Sequence, residues 1–442
     1  MRKGQPHAQR TGYRASGNQG EIRRKEALLI TARMAWGRGG ASLLAQAETG
    51  GGGSSTQSEG RFDLVLKKGE VIDPASGRRG QCDVAFSRGK VAAIRPNIDP
   101  KSADQVESAA GAMVVPGLID MHAHPAGGIG EGVNPDAIGI GRGATTVADG
   151  GTCGTSTFGA FRAIGAASKT RLLAWLNLSS IGQADTRIGE LIFLAAVNVD
   201  EMVALAKKYP DIIIGFKARL STYVTGGGSA LRPLKLLLEA GEAAQLPVMI
   251  HVGDTAEPLG TILDMLRPGD VVSHYLTSRK HNLLGIQASP GATIIPEAFA
   301  ARARGVILDT ARGRNHMAFP QMQATVEQGL LPDTFSTDLA VHTAADPTFS
   351  LMAVATHFMS FGLSFDDCLV RMTVNPARVL RRPDLGTLAE GGVGDATLLQ
   401  IERGTFRLRD ADGRTRTTNQ RLVAVGVVRA GKYTSLTPPP AD

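Results

Sequence analysis

His122 and His124 stand one residue apart, and together they open the chemistry of this chain. Residues two apart on an extended strand point to the same face, so both imidazoles can reach one ion. Neutral imidazole binds zinc and similar divalent metals well. One such pair is a weak signal by itself. Further along, Lys217, His251, His274 and Asp338 each close an apolar run. A carboxylate adds negative charge and can accept a proton. An ammonium would repel metal ions, so Lys217 fits only if its charge is removed or reversed. Addition of carbon dioxide to its amine would give a carbamate able to bridge two ions. The order HxH, Lys, His, His, Asp points to a metal site, although an isolated His is usually structural and an Asp at a strand end is often a helix cap.

Such scattered residues need elements that bring them together. Eight strand-like apolar runs occur at 117–122, 144–148, 171–177, 211–217, 247–251, 270–274, 305–309 and 333–338. Near-continuous apolar runs suit a parallel sheet covered on both faces. The stretches between them, such as 231–244 and 317–331, are apolar at helical spacing. The pattern predicts an α/β fold, a (β/α)8 TIM barrel in which the carboxyl ends of all strands converge on one mouth. Five of the eight runs carry a candidate ligand at that end. Strand-like texture also occurs before the barrel (62–67, 70–73, 83–86, 90–94) and after it (396–401, 405–409, 422–428). Neither set is large enough to bury a sheet face alone, so both chain ends are expected to build one small β-sandwich. The expected division is a separate segment over 1–60, sandwich halves over 61–116 and 383–437, and the barrel over 117–382.

Composition narrows the function classes. The 442 residues are 43% hydrophobic and 20% charged, ordinary for a globular protein. The net charge of +7 is concentrated at the start, where nine Lys and Arg against four Glu within residues 1–60 supply five of the seven charges. The nearly neutral remainder has no basic stripe with interleaved aromatics, which argues against nucleic-acid binding. Three separated cysteines, Cys82, Cys153 and Cys368, make no disulfide framework and no CxxC. Residues 1–60 contain Arg23-Arg24-Lys25, an apolar stretch over 27–47 interrupted by Arg33 and Arg38, and the linker-like Gly50-Gly-Gly-Gly-Ser-Ser55. Two readings stay open: a disordered start on a cytoplasmic protein, or a twin-arginine export signal over 23–47 leading to the periplasm. No segment is expected to span a membrane.

Gly117-Leu-Ile-Asp-Met-His-Ala-His124, Gly215-Phe-Lys-Ala-Arg219, Gly269-Asp-Val-Val-Ser-His274 and Phe335-Ser-Thr-Asp-Leu339 resemble the amidohydrolase superfamily. Gly143-Ala-Thr-Thr-Val-Ala-Asp149, Leu176-Asn-Leu-Ser179 and Thr373-Val-Asn-Pro-Ala377 look like its amidohydrolase/deacetylase, dihydroorotase-like subgroup. The resemblance spans roughly residues 61–430. It implies two divalent ions, zinc by default. His122 and His124 would hold the more buried ion with Asp338, and His251 and His274 the more exposed one. Carbamylated Lys217 would bridge them together with a hydroxide. That hydroxide would attack the substrate carbonyl while Asp338 acts as general base and then acid. The implied reaction is hydrolysis of an amide or ester, in the first instance an acetyl group on a small carboxylate-bearing molecule. A homo-oligomer is also implied. The alternative is a cyclic-amide hydrolase of dihydroorotase or hydantoinase kind. Non-catalytic scaffold relatives typically lose ligands, and this chain keeps all six.

Departures from the pattern bear on the substrate. Dihydroorotases carry an Arg shortly after the second His, whereas Pro-Ala-Gly-Gly follows His124 here. Arg219, two residues past Lys217, faces the mouth by strand periodicity and pairs either a substrate carboxylate or a rim acid. Relatives show Gly-His-Gly after the seventh strand, where this chain has Arg312-Gly-Arg-Asn-His316. His316 is the substrate-contact candidate there, and Arg312 and Arg314 favour a more anionic ligand. His342 is a weaker candidate, while His281 and His357 read as structural. Cys153 lies where D-aminoacylases place a Cys ligand, but Lys217 already supplies the bridge.

Overall fold

The computed structural model describes residues 61–285 and 291–440. The expectations for residues 1–60, the export signal among them, lie outside the described residues.

The described residues open with β1 (Phe62–Asp73), β2 (Arg78–Ser87) and β3 (Lys90–Arg95), followed by β4 (Ala103–Ser108) and β5 (Met113–Pro116). The two runs expected at 62–67 and 70–73 are one strand, interrupted by a register shift between Leu66 and Gly69 where Lys68 adopts a φ of 61°. Arg88 and Gly89, both at positive φ, make a two-residue turn of the kind that matches strand twist. The other end of the chain supplies β13 (Ala396–Arg409), β14 (Thr415–Arg429) and β15 (Lys432–Ser435). These strands form one hydrogen-bonded sheet in the order β15-β14-β13-β5-β1-β2-β3, with β4 parallel to the first half of β1. The small sandwich expected from both chain ends is therefore a single continuous sheet. Leu64, Val84, Phe86 and Val91 from one end meet Leu398 and Val428 from the other in a shared core.

Between them run β6 (Leu118–Ala123), β7 (Ala144–Asp149), β8 (Arg171–Asn177), β9 (Ile213–Arg219), β10 (Val248–His251), β11 (Val271–Ser273) and β12 (Ile307–Asp309). All seven are parallel, each paired with its sequence neighbours. Their side chains divide by alternation. Leu173, Trp175, Met249 and Val271 share an inner cluster, which Ala377 and Leu380 join. Ala174, Leu176, Phe216, Ile250 and Val272 face the larger outer core. The outer core includes Leu234 and Leu237 of the helix Leu231–Ala244, at the span read from helical spacing.

The eighth expected strand, 333–338, is not a strand. It is an irregular segment that nevertheless hydrogen-bonds to both edges of the curled sheet. Asp333 donates its N–H to the Leu308 carbonyl (2.8 Å) and Arg312 donates to Ser336 (3.1 Å) on the β12 side. On the β6 side Asp338 donates to His122 (2.7 Å) and His124 donates to Leu339 (2.8 Å). Regular geometry fails because the segment's own polar groups are spent sideways. Thr337 bonds the buried carboxylate of Asp120 through both its N–H and its hydroxyl, and Asp338 takes a φ of 53°.

The two sheets are tied at Asp395. Its carboxylate accepts from Arg171 of β8 (2.5 Å) and from the Ala430 N–H beyond β14 (2.9 Å), and its carbonyl accepts from Gly117 (3.0 Å). Among the described residues, no helix is long and apolar enough to cross a membrane.

Candidate metal centre

The carboxyl ends of the parallel strands and the segment 333–339 bring His122, His124, Lys217, His251 and Asp338 to one cavity, with His274 buried against His251. Lys217 and Arg219, two apart on β9, line a cavity of about 180 Å³, while Phe216 and Ala218 between and beside them join the outer core. Lys217 lies two residues before the end of its strand, since β9 runs on to Arg219. His122 sits within β6, His124 just beyond it, and His251 ends β10. His274 follows β11 directly with a φ of 66°. Together with Asp338 at 53° it gives two non-glycine left-handed residues at one site, a conformation that costs about 1–3 kcal/mol each. Glycines make room: a Cβ on Gly150 would strike the His122 ring, and one on Gly313 would strike the Asp338 carboxylate.

One ligand atom from each of His122, His124 and Asp338 lies within 4.8 Å of the others. His124 Nε2 is 2.9 Å from Asp338 Oδ1, and His122 Nε2 is 3.4 Å from the same oxygen. His274 Nε2 lies 4.0 Å from Asp338 Oδ2. The His251 and His274 ring centroids are 4.0 Å apart, and those of His122 and His274 are 5.1 Å apart. Lys217 Nζ sits in this circle, 3.2 Å from His122 Nε2 and 3.3 Å from the sulfur of Met249.

Hydrogen bonds behind the rings decide which nitrogen faces the centre. His274 Nδ1 donates to the Ala311 carbonyl at 2.7 Å. Its Nε2 is therefore a lone-pair acceptor, and it is buried without a hydrogen-bond partner. His122 Nδ1 is 2.6 Å from Ser273 Oγ, whose hydroxyl reaches Asp309 at 3.3 Å. Donation along that chain leaves the His122 Nε2 lone pair facing Asp338. His124 Nδ1 is held by Thr152 Oγ1 at 2.7 Å. The Nε2 lone pairs of His122 and His274 thus face the carboxylate oxygens of Asp338, at 3.4 and 4.0 Å. That is a repulsive arrangement unless positive charge lies between them, so the donor set fits a cation.

Electrostatics agree with this reading. Burial holds His122, His251 and His274 well below the ordinary imidazole range, which keeps them neutral. His124 differs: burial pulls it down, but the hydrogen bond and charge of Asp338 outweigh that and raise it. The space between His124 and Asp338 therefore attracts positive charge. Burial lowers the Lys217 ammonium to about 7, which makes the neutral amine accessible. Asp309, behind Ser273, is pushed up to about 6 by burial against the donors of Ser336 and Thr334.

Other expected residues fall as follows. His316 lines the cavity, with its ring 4.3 Å from that of His274 and 4.9 Å from that of His251. Arg219 also lines it, but Glu190 fills its fork at 2.6 Å on both sides. Only its Nη1 remains, 3.3 Å from the Tyr223 hydroxyl and 4.0 Å from Glu131. His342 is exposed on the rim. His281 and His357 bond backbone carbonyls, His281 at Thr255 (2.9 Å) and His357 at Ala353 (2.7 Å). Cys153 is buried in the apolar core with its thiol pushed well up by burial, and all three cysteines are free.

Reading the sequence did not single out Ser273, Thr152, Glu190 or Asp309. Asp309 ends β12 as the expected ligands end theirs, a signal that was there to use. Ser273 and Thr152 carry no such signal, since hydroxyls are too common to stand out.

Several known proteins resemble this chain. A deacetylase of Agrobacterium fabrum is 30% identical over 328 residues, covering 74% of this chain and 79% of its own. A deacetylase of Enterococcus faecalis is 26% identical over 374 residues, covering 84% of this chain and 98% of its own. Solved structures of an adenine deaminase and of a dihydroorotase each match with a TM-score of 0.78 at 26% identity, over 85% of this chain and all of theirs. No protein-family model matches the chain.

Proposed function

The chain belongs to the amidohydrolase superfamily, with its dihydroorotase-like members, and from that premise we propose that it is a metal-dependent deacetylase. It would cleave an acetyl amide or ester of a small carboxylate-bearing molecule. The observation that carries the reading is the convergence of imidazole lone pairs and the Asp338 carboxylate on one buried point. The deacetylase names of two relatives, matched over most of their length, support this choice of reaction. The (β/α)8 barrel and the domain division 61–116, 117–382 and 383–437 belong to the same proposal, supported by the closing hydrogen bonds of segment 333–339.

His122, His124 and Asp338 would hold one divalent ion, and His251 with His274 a second, zinc being the default. Lys217 would stand between them as a carbamate, since its amine is buried against His122 and an ammonium there would oppose both ions. When bound, such ions supply a water acidic enough to lose its proton near neutral pH and a polarising centre for the scissile carbonyl.

The protein's own residues do the rest. Asp338 is the carboxylate that touches both the imidazole cluster and the open cavity, with its side chain 17% exposed. It can take a proton from water and return it to the leaving nitrogen or oxygen. His316, beside the His251 and His274 rings, can donate to a substrate oxygen. Arg219 is oriented by Glu190 and presents one N–H edge, with the Tyr223 hydroxyl, toward a substrate carboxylate.

The test is acetate release from N-acetyl amino acids and O-acetyl hydroxy acids by zinc-loaded protein in bicarbonate. Dihydroorotate turnover and ammonia release from adenine would be followed in parallel. Acetate release abolished in Asp338→Asn is the expected result. Turnover of dihydroorotate or adenine without acetate release would overturn the deacetylase reading. The dihydroorotate result would favour the cyclic-amide alternative.

A further inference from the structure

A second cavity of about 550 Å³ opens beside the imidazole site and shares Arg314, His342 and Thr343 with its rim. It lies between the loop after β12, the helix Leu351–Ser360, and the long hairpin of β13 and β14. The hairpin tip is docked here. Asp410 accepts the Phe319 N–H at 2.9 Å, and Ala411 donates its N–H to the Met317 carbonyl at 3.0 Å. A strand pair contributed by the far end of the chain thus forms one wall.

Arg312 lines this cavity. Its guanidinium carbon stands 3.8 Å from the centre of the Phe349 ring. Nη1 is buried and has no hydrogen-bond partner. Among the described residues, no carboxylate lies within 4 Å of the guanidinium. A half-buried cation with a buried, unused donor is an unfavourable arrangement, and an aromatic face offsets only part of the lost hydration. The remaining lining does not supply the missing anion. Asp410 is already occupied by the N–H groups of Phe319, Asp412 and Arg414. Asp346 acts on the Arg312 charge from a distance without pairing with it, is exposed and accepts from Thr348. Arg314, Arg407 and Arg409 add exposed positive charge at the rim. Phe406, Leu422 and Val423 supply apolar wall.

We infer that this cavity is a binding site for an organic anion: a carboxylate or phosphate seated on the Arg312 guanidinium, with an apolar body against Phe406, Leu422 and Val423. The planar fork of Arg312, over the Phe349 ring, suits two-point contact with an oxyanion. Because these donors lie outside the imidazole cluster, the site binds whether or not the hydrolase reading holds. The anion can be the far end of a substrate reaching across Thr343, or a separate ligand.

The test is calorimetric titration of the metal-loaded full chain with phenyl phosphate, alongside inorganic phosphate. Saturable binding of phenyl phosphate is expected, weakened at least tenfold in Arg312→Met and unchanged in Arg403→Gln and His251→Asn. If Arg312→Met does not fold, the rim double variant Arg314→Gln/Arg409→Gln replaces it, with at least a threefold loss expected. No saturable binding by the wild type overturns the proposal, as does full affinity in whichever variant folds. Loss in His251→Asn alone also overturns it, because that places the anion at the imidazole cluster. If acetate release is observed, competitive inhibition by phenyl phosphate assigns the anion to the substrate, and non-competitive inhibition assigns it to a separate ligand.

Discussion

The two cavities share a rim and have opposite chemistry. One gathers acceptors, imidazole lone pairs and the Asp338 carboxylate, around one point. The other presents Arg312, a donor lacking an anion. Arg219 and Arg312 make the contrast sharpest, since both are arginines at cavity walls. Glu190 fills the fork of Arg219, while Arg312 has only the face of Phe349. The filled fork fixes the orientation of Arg219, while the open one leaves Arg312 with a donor to offer.

Four substitutions test that contrast. The largest effect on turnover is expected from Asp338→Asn, which removes the carboxylate charge and the proposed proton carrier. Acetate release should fall about 10²–10⁴-fold, with the circular dichroism spectrum and phenyl phosphate affinity retained. Full activity would show that Asp338 is not the base. Glu190→Ala would leave the buried Arg219 without its main partner. Breaking a buried pair costs about 3–5 kcal/mol, and Glu131 at 4.0 Å places the expectation at the lower end. Urea unfolding reads this directly, and a loss below about 1 kcal/mol would mean that the pair is not structural.

Ser273→Ala cuts the link from His122 Nδ1 to Asp309. Removing such a support behind a metal-bound histidine lowers metal affinity about 10–100-fold. Competition with a chromophoric chelator should show that loss, and unchanged affinity would remove Ser273 from the site. The smallest effect is expected from Phe349→Leu, which takes away the ring beneath Arg312. A contact of this kind contributes about 0.5–1 kcal/mol, so phenyl phosphate should bind roughly two- to fivefold more weakly while acetate release stays constant. A parallel loss of acetate release would mean that the two cavities act as one.

Much of the scaffold could be read from local pattern. β8 spans the residues its apolar run marked, and the helix Leu231–Ala244 spans those its periodicity marked. The exceptions are informative. Segment 333–338 has strand-like residues, yet its polar side chains bond laterally to Asp120 and Asp309, and the backbone departs from strand geometry. The two predicted runs in β13 are one strand with a register shift between Arg403 and Phe406, and its partner β14 begins seven residues before the predicted start. The polar residues Thr415–Arg421 hide that extension, because a hairpin with one wet face needs no apolar run.

By itself the sequence determined the candidate ligand set and its family. Residue type and position at the ends of apolar runs are local properties, and His122, His124, Lys217, His251, His274 and Asp338 are legible from them. Only the tertiary structure decided which of their nitrogens face the centre, because that depends on Ser273, Thr152 and the Ala311 carbonyl, brought up from distant elements. It also decided the fates of two arginines that look alike in sequence. Glu190 approaches Arg219 across a loop and Phe349 approaches Arg312 from the chain leading into the helix Leu351–Ser360. Pairing of charges is a property of space, and linear order does not carry it.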